Sequence, residues 1–263
     1  MATSASGIRT IRPRDRLEFA PWNEEMVRRF DPDAYHTRSA LLIRAIERLR
    51  VRAIRRLLDA TPSSRVLEVG VGGGNVLERI SGVQFGIDLS PFILRKARVR
   101  LDPRASLVRS DAIAIPFRDG AFDRVYCSEV LEHVLDPEAV VHEMHRVLAP
   151  GGVAVISVPN EALINRMKRI VFALPLGSRL LAGEYKVSEA MDEEWHLHAF
   201  GRARLEQALA GRFGIETLVG VPSRLMPLRL VARLQRRSRL LGSAAHARHA
   251  KGAASPAYAG TAV

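Results

Sequence analysis

Val66, Leu67 and Val69 make the stretch 65–69 a short, mainly apolar run, and glycine follows at positions 70, 72, 73 and 74. Such a run predicts a buried strand, and the glycines let the backbone turn sharply and approach a ligand closely. A helix is expected to start in that loop, over residues 75–80. A second strand, over residues 83–89, delivers Asp88 to its carboxyl end, where open α/β sheets hold their ligands. An acidic side chain at that place suits a ribose diol.

What the loop lacks narrows the choice of ligand. A phosphate-gripping loop would need Gly-Lys followed by Ser or Thr, which is missing, and a dinucleotide fingerprint would need glycine where Asn75 stands. The spacing found, Gly70-x-Gly72-x-Gly74, resembles motif I of the class I S-adenosylmethionine-dependent methyltransferases. Three further segments resemble that family in order. Asp111 and Ala112 open a segment similar to the one whose Asp holds the adenine amino group. Residues 122–128, ending at Ser128, look like the family's fourth strand and run into Glu129, Glu132 and His133. Residues 147–157, with Pro150, Gly151 and Gly152 at a turn, look like its helix end and fifth strand.

The resemblance covers about residues 65–159. It implies S-adenosylmethionine as cofactor, with Glu68 as the motif-I acid and Asp88 as the ribose-binding acid. Gly70, Gly72, Gly74, Leu89, Asp111, Ala112 and Ser128 complete the implied cofactor set. The implied fold class is α/β, a Rossmann-like, doubly wound and mostly parallel sheet. Residues 1–14 read as a disordered start, 15–60 as a helical amino-terminal lid, 61–225 as the methyltransferase core, and 226–263 as a basic tail. Within the core, residues 160–195 form an excursion after the fifth strand.

A chain of 263 residues with 47% hydrophobic content can bury one α/β core. Its net charge of +12 suggests nucleic acid until it is split by region. Residues 61–225 carry 20 basic and 20 acidic side chains, whereas residues 1–60 carry 13 against 8 and residues 226–263 carry 7 against none. A neutral core argues against a polyanion across the active site, although the basic flanks suit RNA or an anionic membrane surface. The single cysteine, Cys127, cannot form an intrachain disulfide and reads as a small buried hydrophobe. Residues 1–10 lack the apolar stretch of a signal peptide, and no run is apolar for long enough to span a membrane. A cytoplasmic protein is expected, with peripheral contact at the inner membrane face.

Between positions 33 and 60, Leu42, Ile43, Ile46, Leu49, Ala53, Ile54, Leu57 and Leu58 recur at helical spacing with arginines between them, which predicts one amphipathic helix. Trp22, Tyr35 and His36 are candidate lid or pocket residues. Further helices are expected over residues 91–100, over 137–148 with Asp136 as its cap, and over 202–209. Residues 163–174 keep helical spacing with Arg166, Lys168 and Arg169 interleaved, up to Pro175. Strands are expected over 106–109 and 215–221. Residues 228–234 alternate like a seventh strand but also suit a basic helix running on to Leu241.

Methyl transfer to a hydroxyl benefits from a base tuned near neutrality, most often histidine. His133 follows the fourth strand, and His196 and His198 lie in a segment similar to the His-containing one that many small-molecule members carry before their penultimate helix. These three are the candidate catalytic residues. Glu129, Glu132 and His133 also stand at i, i+3 and i+4, one face of a helical turn, so with His196 or His198 they offer a divalent-ion set. That arrangement is similar to the Glu-x-x-Glu-His signature of metal-dependent relatives. In small-RNA 2'-O-methyltransferases a second histidine usually follows, whereas here Val134 does. The reading preferred is metal-free. It is O-methylation of a small-molecule acceptor, lipid-linked or isoprenoid in kind. The alternatives are an RNA methyltransferase using the basic flanks and a non-catalytic binding module on the same fold.

Overall fold

The computed structural model describes residues 12–173 and 195–237. Most of the expected disordered start, the stop at Pro175 and the chain from residue 238 lie outside the described residues. Seven strands form one sheet in the order β3-β2-β1-β4-β5-β7-β6. They are β1 (Arg65–Val69), β2 (Val83–Asp88), β3 (Ser106–Arg109), β4 (Phe122–Ser128), β5 (Leu148–Pro159), β6 (Phe213–Pro222) and β7 (Pro227–Arg236). The first five pair in parallel, and β7 runs antiparallel between β5 and β6. The chain leaves β1 toward β2 and β3, then returns to lay β4 on the other side. The crevice beyond the carboxyl ends of β1 and β4 is therefore the switch point at which such sheets bind ligands.

β7 decides the ambiguity at residues 228–241 in favour of a strand, because both of its edges are hydrogen-bonded, to β5 and to β6. The core sheet consequently runs past residue 225 to Arg236, and that much of the expected basic tail belongs to the core. The expected helix over residues 75–80 shrinks to a 3-10 turn, Leu77–Arg79. Only a few residues separate the loop from β2, and Gln84 Nε2 caps the turn by donating to the carbonyls of Leu77 and Ile80 at 2.8 and 2.7 Å.

Helices cover both faces. They are α1 (Arg16–Phe30), α2 (Pro32–Arg38), α3 (Leu41–Leu58), α4 (Pro91–Arg100), α5 (Pro137–Val147), α6 (Glu161–Ala173) and α7 (Arg202–Leu209). Asp136 caps α5 as expected, accepting from the Ala139 amide at 2.9 Å, while Leu148 opens β5 instead of ending the helix. One amphipathic helix was expected after position 33; two form, parted at Ser39 and Ala40. The backbone is extended at Ser39, with φ −64° and ψ 164°. Asp31 and Asp33 tie the start of α2 to the other side of the crevice through Lys96 at 2.5 Å and Arg100 at 2.6 Å.

α1 falls within the stretch expected to be helical and runs through Pro21; Asp15 caps its start by accepting from the amides of Leu17 and Glu18. Trp22, expected at the lid, packs in a small separate core with Phe19, Met26, Phe30, Ile93 and Trp195. Two larger cores lie on the sheet. Val125, Cys127, Met144, Ile156 and Leu205 belong to one, and Ile54, Leu58, Val66, Tyr126 and Val155 to the other. Among the described residues no helix is long and apolar enough to cross a membrane.

Candidate functional site

At the carboxyl end of β1 the backbone turns at Gly70, with φ +74°, and a Cβ there would lie 2.3 Å from Val130 Cγ2. Gly70 and Val71 donate to the Ile87 carbonyl at 2.9 and 2.8 Å, which locks the loop onto β2. A Cβ on Gly72, by contrast, would meet nothing within 4 Å. The loop opens onto a cavity of about 670 Å³, within the usual range for small-molecule sites.

The expected cofactor residues Glu68, Gly70, Gly72, Asp88, Leu89, Asp111, Ala112 and Ser128 all line this cavity; Gly74, with φ +80°, shapes the turn behind it. Asp88 Oδ2 accepts from the Gly72 amide and Oδ1 from the Ser90 amide, each at 2.9 Å, which aims the carboxylate and leaves further lone pairs on both oxygens. Burial pushes its carboxyl up to about 6. Glu68 is 2% exposed, and burial pushes its carboxyl up to about 8 against the opposing pull of the Tyr126 hydroxyl. Its Oε2 has no hydrogen-bond partner among the described residues. Asp111 accepts from the Ile113 amide at 3.2 Å. Ser128 faces the cavity with its hydroxyl engaged by Arg50 and, at 3.1 Å, by Ser157.

These groups fit a nucleoside thioether. The backbone approaches closely, two aimed carboxyls stand ready to accept from hydroxyl or amino groups, and apolar walls at Leu89 and Ala112 suit a flat base. The lid closes this half. Asn75 Nδ2 donates to Asp33 at 3.0 Å, Arg100 bridges Asp33 to the Gly73 carbonyl, and Ser90 Oγ donates to Glu24 at 2.5 Å.

The other half is built by α3, α6, the β4 exit and β7. An ionic quartet, the buried Glu47 and Arg50 with the half-buried Glu129 and Arg229, forms one wall. Arg50 Nη2 binds Glu47 at 2.5 Å, and Arg229 Nε lies 2.7 Å from Glu129 and 3.8 Å from Glu47. Burial alone would raise the Glu47 carboxyl, but Arg50, His36 and Arg229 together outweigh it and hold the group near 2. Tyr35 accepts from Arg229 at 3.3 Å, and burial lowers the neighbouring His36 to about 4. Glu47, Arg50 and Arg229 were missed in the sequence, although Glu47 and Arg50 fall on the same stripe of α3 as Ile54 and Leu58, where a charge is out of place.

Of the three histidines, two are brought together. The His133 and His196 rings lie 4.8 Å apart, both on the cavity wall. His133 packs on Trp195 at 4.3 Å, and burial, with His196 next, holds its pKa well below the ordinary histidine value. His196 Nδ1 lies 2.9 Å from Glu161 Oε1, at the first turn of α6. His198 stands apart, with Nε2 3.4 Å from the Leu135 carbonyl, and does not line the cavity.

The shared helical face expected of Glu129, Glu132 and His133 does not form. Glu129 adopts φ +54° beyond the strand end, which turns its carboxylate to Arg229 and to Ser157 Oγ at 2.9 Å. Glu132, His133 and His196 have ligand atoms within 4.8 Å of one another. Burial, with Glu129 next, pushes the Glu132 carboxyl well above the usual range, toward the neutral form.

Comparison with known proteins agrees with this geometry. A family model described as a methyltransferase domain matches residues 67–156. A ubiquinone biosynthesis O-methyltransferase of Xanthomonas campestris is 39% identical over 111 residues, which are 38% of this chain and 45% of that protein. The chain thus spans less than half the length of that relative. A demethylmenaquinone methyltransferase of Thermus thermophilus is 34% identical over 151 residues, 52% of this chain and 68% of the relative. Among solved structures, a possible histamine N-methyltransferase of Thermotoga maritima shares the fold with a TM-score of 0.56 at 17% identity, over 81% of this chain and 99% of its own. An N-methyltransferase of Bradyrhizobium japonicum in complex with S-adenosyl-L-homocysteine aligns with a TM-score of 0.53 at 20% identity, over 73% and 88% of the two chains. The glycine turn, the paired acids and these relatives together place the chain in the class I S-adenosylmethionine-dependent methyltransferase family.

Proposed function

We propose that this chain transfers a methyl group from S-adenosylmethionine to a hydroxyl on a small metabolite with an apolar, lipid-linked or isoprenoid body. The observation that carries the hydroxyl assignment is the Glu161–His196 pair, 2.9 Å apart on the cavity wall. A carboxylate on Nδ1 selects the tautomer that leaves Nε2 as the acceptor. His196 then takes the hydroxyl proton, and His133, kept neutral by burial, braces its ring. Bound S-adenosylmethionine supplies an activated methyl group for in-line displacement. The protein's larger share is positional. Ile43, Ile46, Ile164 and Met167 give the acceptor half apolar walls. The similar proteins named for ubiquinone biosynthesis O-methylation and demethylmenaquinone methylation support an acceptor of this kind.

The test begins with labelled cofactor and a cell extract, followed by identification of the methylated product. With that acceptor, His196→Ala lowers kcat by about a hundredfold or more while S-adenosylhomocysteine affinity stays unchanged. Glu161→Gln also lowers kcat, because the imidazole loses the carboxylate that fixes its tautomer and orientation. An N- or C-methylated product, or an unchanged kcat in the Glu161→Gln enzyme, rejects the base assignment.

A further inference from the structure

α3 carries a second surface that the methyl-transfer reading does not use. At about 100° per residue, Arg44, Arg48, Arg52, Arg55 and Arg56 fall on one side of the helix, opposite Arg50, Ile54 and Leu57. Arg48, Arg52, Arg55 and Arg56 are exposed and Arg44 is half-buried. None of the five side chains makes a hydrogen bond or ion pair with a described residue. The only acid within α3, Glu47, is buried beneath them. Arg79 borders the same surface beside Arg48, Arg52 and Arg55. A solvated helix face ordinarily intersperses acids with its bases. Five like charges along about 18 Å of helix repel one another and call for a polyanion.

Apolar side chains share that surface. Leu41 and Leu42, in the first turn of α3, are 79% and 56% exposed, and Leu49 is exposed on the same helix. Leu225, at the β6–β7 turn, is 99% exposed, and Met226 beside it is also exposed. Both groups border the cavity, since Leu42 and Ile43 on one side and Leu228 and Arg229 on the other line it. Arginines along a helix, with leucines at the end beside an apolar opening, match a surface that lies in a bilayer interface. RNA would favour exposed aromatic platforms, and both tryptophans, Trp22 and Trp195, are buried.

We propose that the outer face of α3, with the Leu41 and Leu225 rim, docks on an anionic lipid bilayer, so that the acceptor enters the cavity from the membrane. The inference rests on the methyltransferase reading only for what enters, since the docking itself needs no catalysis. Phosphate headgroups meet the arginines, and the exposed leucines enter the acyl boundary.

Co-sedimentation of the full chain with phosphatidylcholine vesicles, and with vesicles containing phosphatidylglycerol, tests it. Binding is expected only to the second and falls as salt rises. Each arginine near such a surface contributes roughly fivefold, so Arg48→Glu/Arg52→Glu/Arg55→Glu weakens binding about a hundredfold or more. Leu41→Ser/Leu225→Ser weakens it at any salt concentration. S-adenosylhomocysteine affinity, measured on the same variants, stays unchanged and shows that they fold. Equal binding to both vesicles, undiminished binding by the arginine variant, or displacement of the vesicles by single-stranded RNA overturns the proposal. A chain that binds vesicles but not S-adenosylhomocysteine keeps the docking surface and refutes the methyltransferase reading instead.

Discussion

Glu68 offers a measurement that separates burial from every other influence on stability. In the fold its carboxyl is pushed up to about 8 from an ordinary 4.5, first by desolvation. Between those two values the folded state holds a proton that the unfolded chain has released. Stability from this group is therefore complete below pH 4.5 and declines as pH rises toward 8. Each pH unit in that window costs about 1.4 kcal/mol, so about 3 kcal/mol is lost between pH 5 and 7. Glutamine keeps the shape and cannot ionise. Urea unfolding of the wild type and of Glu68→Gln, without cofactor, at pH 5, 6 and 7 is the assay, because all other titrating groups are shared and cancel in the difference. The stability of the variant relative to wild type is expected to rise by about 1.4 kcal/mol per pH unit. A difference that stays constant across those three pH values refutes the claim that Glu68 is held neutral.

Two further substitutions test the cofactor half. Asp88→Ala removes a charged acceptor of hydroxyl hydrogen bonds, worth about 1.5–3 kcal/mol each, and calorimetric titration with S-adenosylhomocysteine should show at least a tenfold loss, whereas His198→Ala leaves affinity unchanged; equal losses would contradict the roles given to the two residues. Gly70→Ala forces a side chain into the left-handed region and onto Val130, 2.3 Å away, so a loss of about 2 kcal/mol or more in urea unfolding is expected. Adding Val130→Ala should recover part of it, and no recovery would mean that the contact is not the cause.

The parts of this fold that the sequence displays are those set by neighbouring residues. The α4, β3, β4 and α7 boundaries follow local periodicity and caps, and Gly70 and Asp88 stand where a strand exit and a strand end place them. What stays hidden is decided across the chain. β7 is a strand because two partners far from it in sequence bond both of its edges. The placing of α2 depends on ion pairs with α4, far from it in sequence. The site behaves the same way. His133 could be placed from its strand, but its partnership with His196 needs the chain after α6 to return, and Glu161 carries no motif that marks it as the imidazole's partner. Glu129 was misplaced because a non-glycine residue with positive φ turned the expected helical face aside.

The quartet of Glu47, Arg50, Glu129 and Arg229 balances two positive and two negative charges, with Glu47 and Arg50 buried and the other two half-buried. Exchange of Glu47 or Arg50 alone strands an uncompensated buried ion, at a penalty of about 3–5 kcal/mol, comparable with much of a domain's net stability. Replacements at these two positions should therefore travel as an opposite-charge pair across lineages. The greasy positions around them are free to drift one at a time, so acceptor preference can diversify by reshaping that lining while the electrostatic frame stays fixed.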